Sequence, residues 1–361
     1  MGLYDVTAIH HFEWRNMKDR IHSSKISHLR KLVIVHQGAL GDFLLAFPVL
    51  EGLYRANPDI GMDFWAGKEH AGLIASRPYV GKVHPAGGAE LAPFFHEDLW
   101  MDAEIPSFFL DSHAILILGQ PSMRVLAERL AQRLNCPVHW ARSFPGPEDG
   151  ALPVTKFIAE QIRSLGWHVE CVLPRLAPDA DETMAVRSFL ADRGWEHQEK
   201  PVLIHPGSGG RKKIWPLEKW WALLRRLRKD YEIPVLLTLG PADDYLRDFA
   251  GEAQRLGAHL VEELSLRRLA AFLAESRLYI GNDSGVSHLA AAMGIPAVVI
   301  FGPTNPEIWA PQGPNVHIIR SRWEEAEIFR RSPVSGPPEP EICKVLVHIL
   351  GVLDSDGLEH K

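Results

Sequence analysis

The chain has no apolar run approaching the roughly 20 residues that cross a bilayer. Its amino-terminal stretch, MGLYDVTAIHHFEWRNMKDR, has no apolar core of the secretory-signal kind. Cysteine is scarce: Cys136, Cys171 and Cys343 stand apart with no CxxC pair. That excludes a zinc-finger or disulfide framework and fits a reducing compartment. An excess of positive charge is missing as well. A formal net charge of -6 argues against a general nucleic-acid binder, which is ordinarily basic. Neither GxGxxG nor a glycine-rich loop ending in Gly-Lys-Ser/Thr occurs, so dinucleotide and P-loop sites are poor readings. The expectation is a cytoplasmic protein.

The 361 residues are too many for one ordinary core, and 46% hydrophobic with 23% charged residues is the composition of a globular enzyme. Residues 1–30 show no period and read as a flexible leader, with Met17 as an alternative start. From Lys31 onward, strand and helix signals alternate. KLVIVHQ, IGMDFWAG and HAILILG read as strands, and DFLLAFPVLEGLYRANP and SMRVLAERLAQRL as helices. Pro48 predicts a late start or a kink in the first helix. The span from Pro78 to Ser107, rich in Pro, Gly and aromatics, reads as long loops. After the polar linker PRLAPDADE (174–182), a second series follows: strands PVLIHPG, PVLLTLG, LYIGND and PAVVIFG, separated by amphipathic helices. Pro333–Pro340 reads as a connector. Two βα series predict an α/β protein of two facing Rossmann-like domains with parallel sheets, residues 31–175 and 183–335, and a helix and tail over 336–361.

Three turns carry candidate chemistry. GALGD, Gly38 to Asp42, joins a strand to a helix; its glycines, Gly38 and Gly41 among them, let backbone approach a ligand. Asp42 is either a catalytic carboxylate or an ordinary N-cap. HPGSGGRKKIWP, His205 to Pro216, offers bare amides, the Ser208 hydroxyl and the cations Arg211, Lys212 and Lys213, the chemistry of a diphosphate cradle; the alternative is a solvated basic loop. GNDSGVSHLAAA places Asp283, Ser284 and Gly285 where a strand ends and a helix begins, with His288 one turn on. Alone, Asp283 reads more readily as a cap and His288 as a buried helix histidine. The Asp-x-Asp strings at 179–181 and 354–356 follow no apolar strand and read as solvated turns. Trp215, Trp220 and Trp221 read as core.

Together GALGDFLLAFPVL, HPGSGGRKKIWPLEKW and GNDSGVSHLAAAMGIPAVVIFGPTNPEIW resemble glycosyltransferase family 9, the lipopolysaccharide heptosyltransferase family, over Lys31 to Ile319. The resemblance implies a GT-B fold, an acceptor-binding first domain and a donor-binding second one. It also implies inverting transfer without a metal or other cofactor, the co-substrate being a nucleotide sugar such as ADP-heptose and the acceptor a glycolipid or oligosaccharide of the lipopolysaccharide core. Asp42 then matches the proposed general base, with Gly38 and Gly41 on the acceptor-side loop. Lys213, Ser208, Ser284, Gly285 and His288 match the donor-diphosphate site, Asp283 the residue facing the donor sugar, and Asp244 (or its neighbour Asp243) the ribose position. A free Asp titrates near about 3.9 and a helix start depresses it further, which makes a poor ground-state base unless proton transfer is late. The rival readings are a GT-B-like sugar-nucleotide epimerase or hydrolase and a non-catalytic nucleotide-sugar-binding protein. A glycolipid acceptor also predicts peripheral attachment at the inner membrane through Lys18, Arg20, Lys25, Arg30 and Lys31.

Overall fold

The computed structural model describes residues 30–86, 89–170, 172–195, 200–330 and 340–358. The leader expected over 1–30, Arg30 apart, lies outside the described residues, and so do Cys171 and nearly all of the connector at 333–340.

The first half is a five-stranded, all-parallel sheet in the order β3-β2-β1-β4-β5. In chain order its elements are β1 (Lys31–His36), α1 (Leu40–Ala56), β2 (Gly61–Ala66), α2 (Lys68–Gly72), β3 (Val80–Pro85), α3 (Ser107–Leu110), β4 (Ala114–Gly119), α4 (Arg124–Arg133), β5 (Val138–Arg142) and α5 (Val154–Ser164). Both faces of β1 are covered, which is why its sequence is continuously apolar: Leu32 and Ile34 join the core under α1, while Val33 and Val35 pack with Trp65, Phe94 and Phe109 on the other side. Helix α1 runs unbroken through Pro48, contrary to the expected late start. Every residue from Phe43 to Leu53 is buried; that burial offsets the ladder bond that proline cannot make.

The second half continues with α6 (Ala180–Ala191), β6 (Val202–His205), α7 (Leu217–Arg225), β7 (Val235–Thr238), α8 (Arg247–Arg255), β8 (His259–Val261), α9 (Leu266–Ala274), β9 (Leu278–Asn282), α10 (Gly285–Met293), β10 (Ala297–Phe301), α11 (Pro306–Trp309), β11 (Val316–Arg320) and α12 (Pro340–Leu358). Its six strands are parallel in the order β11-β10-β9-β6-β7-β8. Counted from its own first strand this is the Rossmann order, and the first sheet has the same order less one strand. The order reverses between β1 and β4 in one sheet and between β6 and β9 in the other, where ligands bind in such folds.

Several expectations are corrected. The span 78–107 is not loop throughout: it holds β3 and a 3₁₀ turn at Ala89–Phe95. The polar linker ends earlier than its composition implied, because Asp179 caps α6, accepting the amides of Asp181 and Glu182 at 3.1 and 3.3 Å. The Asp-x-Asp string at 354–356 lies within α12 rather than in a tail. Trp215 and Trp220 are fully buried, as expected of core. No helix among the described residues is long and apolar enough to cross a membrane.

The halves meet along α1 and α10, and one apolar cluster spans both. Phe144 meets Trp309 with ring centroids 5.3 Å apart, and the Leu266 amide at the start of α9 donates to Glu69 Oε2 at 3.0 Å.

Candidate functional site

The two switch points present their helix starts to each other. Gly41 in α1 and Gly285 in α10 lie at the contact. A Cβ on Gly285 would come within 3.1 Å of the Gly41 amide nitrogen, and one on Gly41 within 3.4 Å of the His288 ring. A side chain at Gly285 would crowd the Gly41 backbone, so glycine there favours the close approach of the two helix starts.

On the first-half side, Asp42 is the third residue of α1, not its N-cap, which is Ala39. Its Oδ2 accepts the Ala39 amide at 3.2 Å. Burial nevertheless holds the carboxyl above its ordinary value, outweighing the Ala39 amide, Lys213 and His70, which all pull it down. The depressed value expected of a helix start is therefore reversed, and the objection to Asp42 as a base weakens.

On the second-half side the cradle is tied together by buried side chains. Asn282, the last residue of β9, donates to the Pro206 carbonyl at 2.6 Å and accepts the Trp215 amide at 3.1 Å. Ser208, nearly buried, spends its hydroxyl proton on the Asp283 carbonyl at 2.8 Å. Of the basic triplet, Lys213 alone pairs with a residue of the α10 start. Lys212 pairs with exposed Glu325 at 3.2 Å, and Arg211 lies over the Tyr245 ring at 5.0 Å. Lys213 Nζ stands 2.9 Å from Asp283 Oδ2, which also accepts the Thr304 hydroxyl at 2.6 Å. Ser284 caps α10 with its side chain. The amides of Gly285 and Val286, in the first turn, have no carbonyl partner inside the helix. His288 is buried beside them, and its pKa falls to about 4 through burial, opposed by Asp283 and reinforced by Lys213. At neutral pH it is an uncharged ring, a hydrogen-bonding group rather than a cation.

The ribose candidates separate. Asp243 is buried, its Oδ2 accepting the Gly240 amide at 2.7 Å and its Oδ1 the Tyr245 hydroxyl at 3.1 Å. Asp244 is at the surface, paired with Arg247 at 3.1 Å. A cavity of about 540 Å³ opens at the β3 edge among Lys31, Asp63, Lys82 and His84 and shares no residue with this cleft. Sequence reasoning passed over Asn282, Thr304, His36 and His70. Thr304 sits inside the GPT string already quoted; the other three act through contacts distant in sequence.

Two Rossmann-ordered sheets, with the helix starts at their switch points turned toward each other, are the GT-B architecture of glycosyltransferases. The comparisons carry this from class to family. The model of glycosyltransferase family 9 (heptosyltransferase) matches residues 156–336. The chain is 38% identical over 298 residues to lipopolysaccharide heptosyltransferase 1 of Campylobacter coli, covering 76% of this chain and 84% of that one. It also shares its fold with a family 9 glycosyl transferase of Veillonella parvula at a TM-score of 0.70 and 15% identity, covering 92% of this chain and all 100% of that one. The ADP-heptose heptosyltransferase II of E. coli superposes at 0.66 with 18% identity, covering 91% and 99%. The chain belongs to glycosyltransferase family 9, the lipopolysaccharide heptosyltransferase family, and is a glycosyltransferase.

Proposed function

We propose that the protein transfers heptose from ADP-heptose to a sugar hydroxyl of a lipopolysaccharide-core acceptor, with inversion and without a divalent ion. Residues 31–175 hold the acceptor and residues 183–335 the donor. The observation that carries the reading is the pairing of Lys213 with Asp283 at the open start of α10, across from a burial-raised carboxyl at Asp42.

In this reading Lys213 and the first amides of α10, with Ser284 as cap and neutral His288 beside them, receive the diphosphate and stabilise the departing nucleoside diphosphate. Donor binding releases part of Lys213 from Asp283, which turns to the sugar; Thr304 holds that carboxylate in place. Ser208 acts by fixing the Asp283 carbonyl. Gly41 lets the two helix starts meet and Gly38 leaves space for the Asp42 side chain; the acceptor hydroxyl loses its proton to Asp42 as it attacks the anomeric carbon on the face opposite the diphosphate. Asp244, at the surface after β7, is the carboxylate still available to the ribose, since Asp243 is held within its own loop.

The test has two arms. A thermal-shift panel of ADP-, GDP-, UDP- and dTDP-sugars should raise the midpoint most with the ADP-sugar; a larger rise with another base rejects the donor. Product formation should require an acceptor. Turnover of donor alone would favour the epimerase or hydrolase reading. A family relative named for ADP-heptose supports the choice of donor.

A further inference from the structure

Two imidazoles packed against Phe43, the residue after Asp42, have no part in that mechanism. His36 ends β1, is 1% exposed and has no hydrogen-bond partner on either ring nitrogen. His70, in α2, has a buried and equally unpartnered Nδ1. Between them lies Phe43, edge-on to His36 at 5.4 Å and stacked with His70 at 5.8 Å. The missing side chain at Gly38 leaves space that both Asp42 and His36 border: a Cβ there would lie 2.9 Å from both Asp42 Oδ2 and His36 Cε1. A bracket of this kind, with its polar atoms left unpaired, costs stability. Its position beside the proposed base offers a reason for it.

We infer that His70 is a positioning residue for Asp42, a ring that must remain neutral for the carboxylate beside it to accept a proton; the inference rests on the reading of Asp42 as base. The physical ground is the Coulomb interaction of close charges in a partly buried site. A cation at position 70 lowers the proton affinity of Asp42, and a neutral ring leaves it intact. Burial holds His70 below the ordinary histidine value, against the opposing pull of Glu69 and Asp42. His36 is driven down to about 4 by burial and by repulsion from His70. The two positive charges that act on Asp42 are Lys213, already paired with Asp283, and protonated His70.

Most of the other charges around His70 are paired with one another, and Glu69 acts on the ring itself. On its own helix stand Lys68 and Glu69, the latter accepting the Leu266 amide. On α9, Arg267 and Arg268 pair with Asp179 and Glu182. On β2 and β3, Asp63 pairs with Lys31 and His84 with Glu90. Burial sets the basicity of Asp42 first, and His70 is the neighbouring ring whose charge would lower it further.

The experiment is the pH profile of kcat/KM for the wild-type enzyme, His70→Gln and His70→Lys, with Asp42→Asn beside them. His70→Gln should keep the plateau within about threefold and lose one ionisation from the acid limb. His70→Lys, a permanent cation, should lose about tenfold or more of kcat with donor KM nearly unchanged. Equal plateaus for the Gln and Lys variants overturn the inference. Should His70→Lys fail to fold, an acid limb in His70→Gln identical to that of the wild-type enzyme overturns it instead. Wild-type transfer by Asp42→Asn would remove the base reading itself, whatever the His70 variants do.

Discussion

The starts of α1 and α10 are built alike and loaded oppositely. Each follows one of the two strands between which its sheet's order reverses, each contributes a glycine to their mutual contact, and each carries the partial positive charge of a helix N-terminus. At α1 that charge is met from within the chain, since Asp42 turns back onto the Ala39 amide. At α10 the cap is a neutral serine, and the nearest carboxylate, Asp283, is claimed by Lys213 and Thr304. One helix start is closed to anions and the other is open to them. In the proposed function, an almost symmetric fold thereby acquires a donor side and a proton-accepting side.

The sharpest way to break this contrast is to remove the carboxylate. Asp42→Asn keeps an oxygen for the Ala39 amide but not the base, and transfer should fall about 1,000-fold or more while the thermal shift produced by ADP is retained. Activity within about tenfold of wild type would reject the base. Because burial raises the Asp42 pKa, stability is lost as pH climbs from the ordinary carboxylate value through the raised native one. The Asn variant should therefore gain thermal stability relative to wild type as pH rises from acid to neutral.

The next effect lies on the open side. Lys213→Ala should cost about 100-fold in kcat/KM, both by removing the cation from the leaving group and by leaving Asp283 buried without its partner. Ser284→Asp would give α10 the self-neutralised start that α1 already has. Donor binding should then weaken by about tenfold with the fold intact, read as a rise in Kd by calorimetry. Unchanged affinity would show that the difference between the two helix starts does not choose the donor side. On the same reasoning a chelator should leave transfer unchanged, because Lys213 and the α10 amides supply the charge that a metal would otherwise bring; loss of activity restored by a divalent ion would overturn that part of the proposal.

The contrast also explains what could be read from the sequence. The seven interior strands announce themselves as apolar runs because helices cover both of their faces. All four strands that escaped, β3, β5, β8 and β11, lie at sheet edges. VGKVHP and VHIIR alternate or end in polar residues because part of each faces water, and HLV is three residues long. The site divides in the same way. Glycine-rich turns at strand ends mark backbone that comes close to a ligand, so GALGD, HPGSGG and NDSG were legible. The grip of Asn282 on the Pro206 loop, the spending of Ser208 on a carbonyl and the reversal of the expected Asp42 shift depend on contacts across the fold, which spacing does not encode.

The smallest effect compares a histidine from each half. His36 and His288 end up in equivalent shelter, each held near a pKa of about 4 by burial. Unfolded, each would titrate near about 6.5. Between those values the unfolded chain takes up protons that the native protein refuses, so stability falls as pH drops through that window. Each shift is worth roughly 3 kcal/mol at 1.36 kcal/mol per unit. His288 has Asp283 and Lys213 beside it, whereas His36 has neither of its nitrogens satisfied. His36→Leu, close in volume, should therefore unfold at a higher midpoint than the wild-type protein, by an amount equivalent to about 1–3 kcal/mol, and the gap should widen from neutral pH toward pH 4. A gap that stays constant across that range would mean that the His36 ring finds a proton partner in the native state.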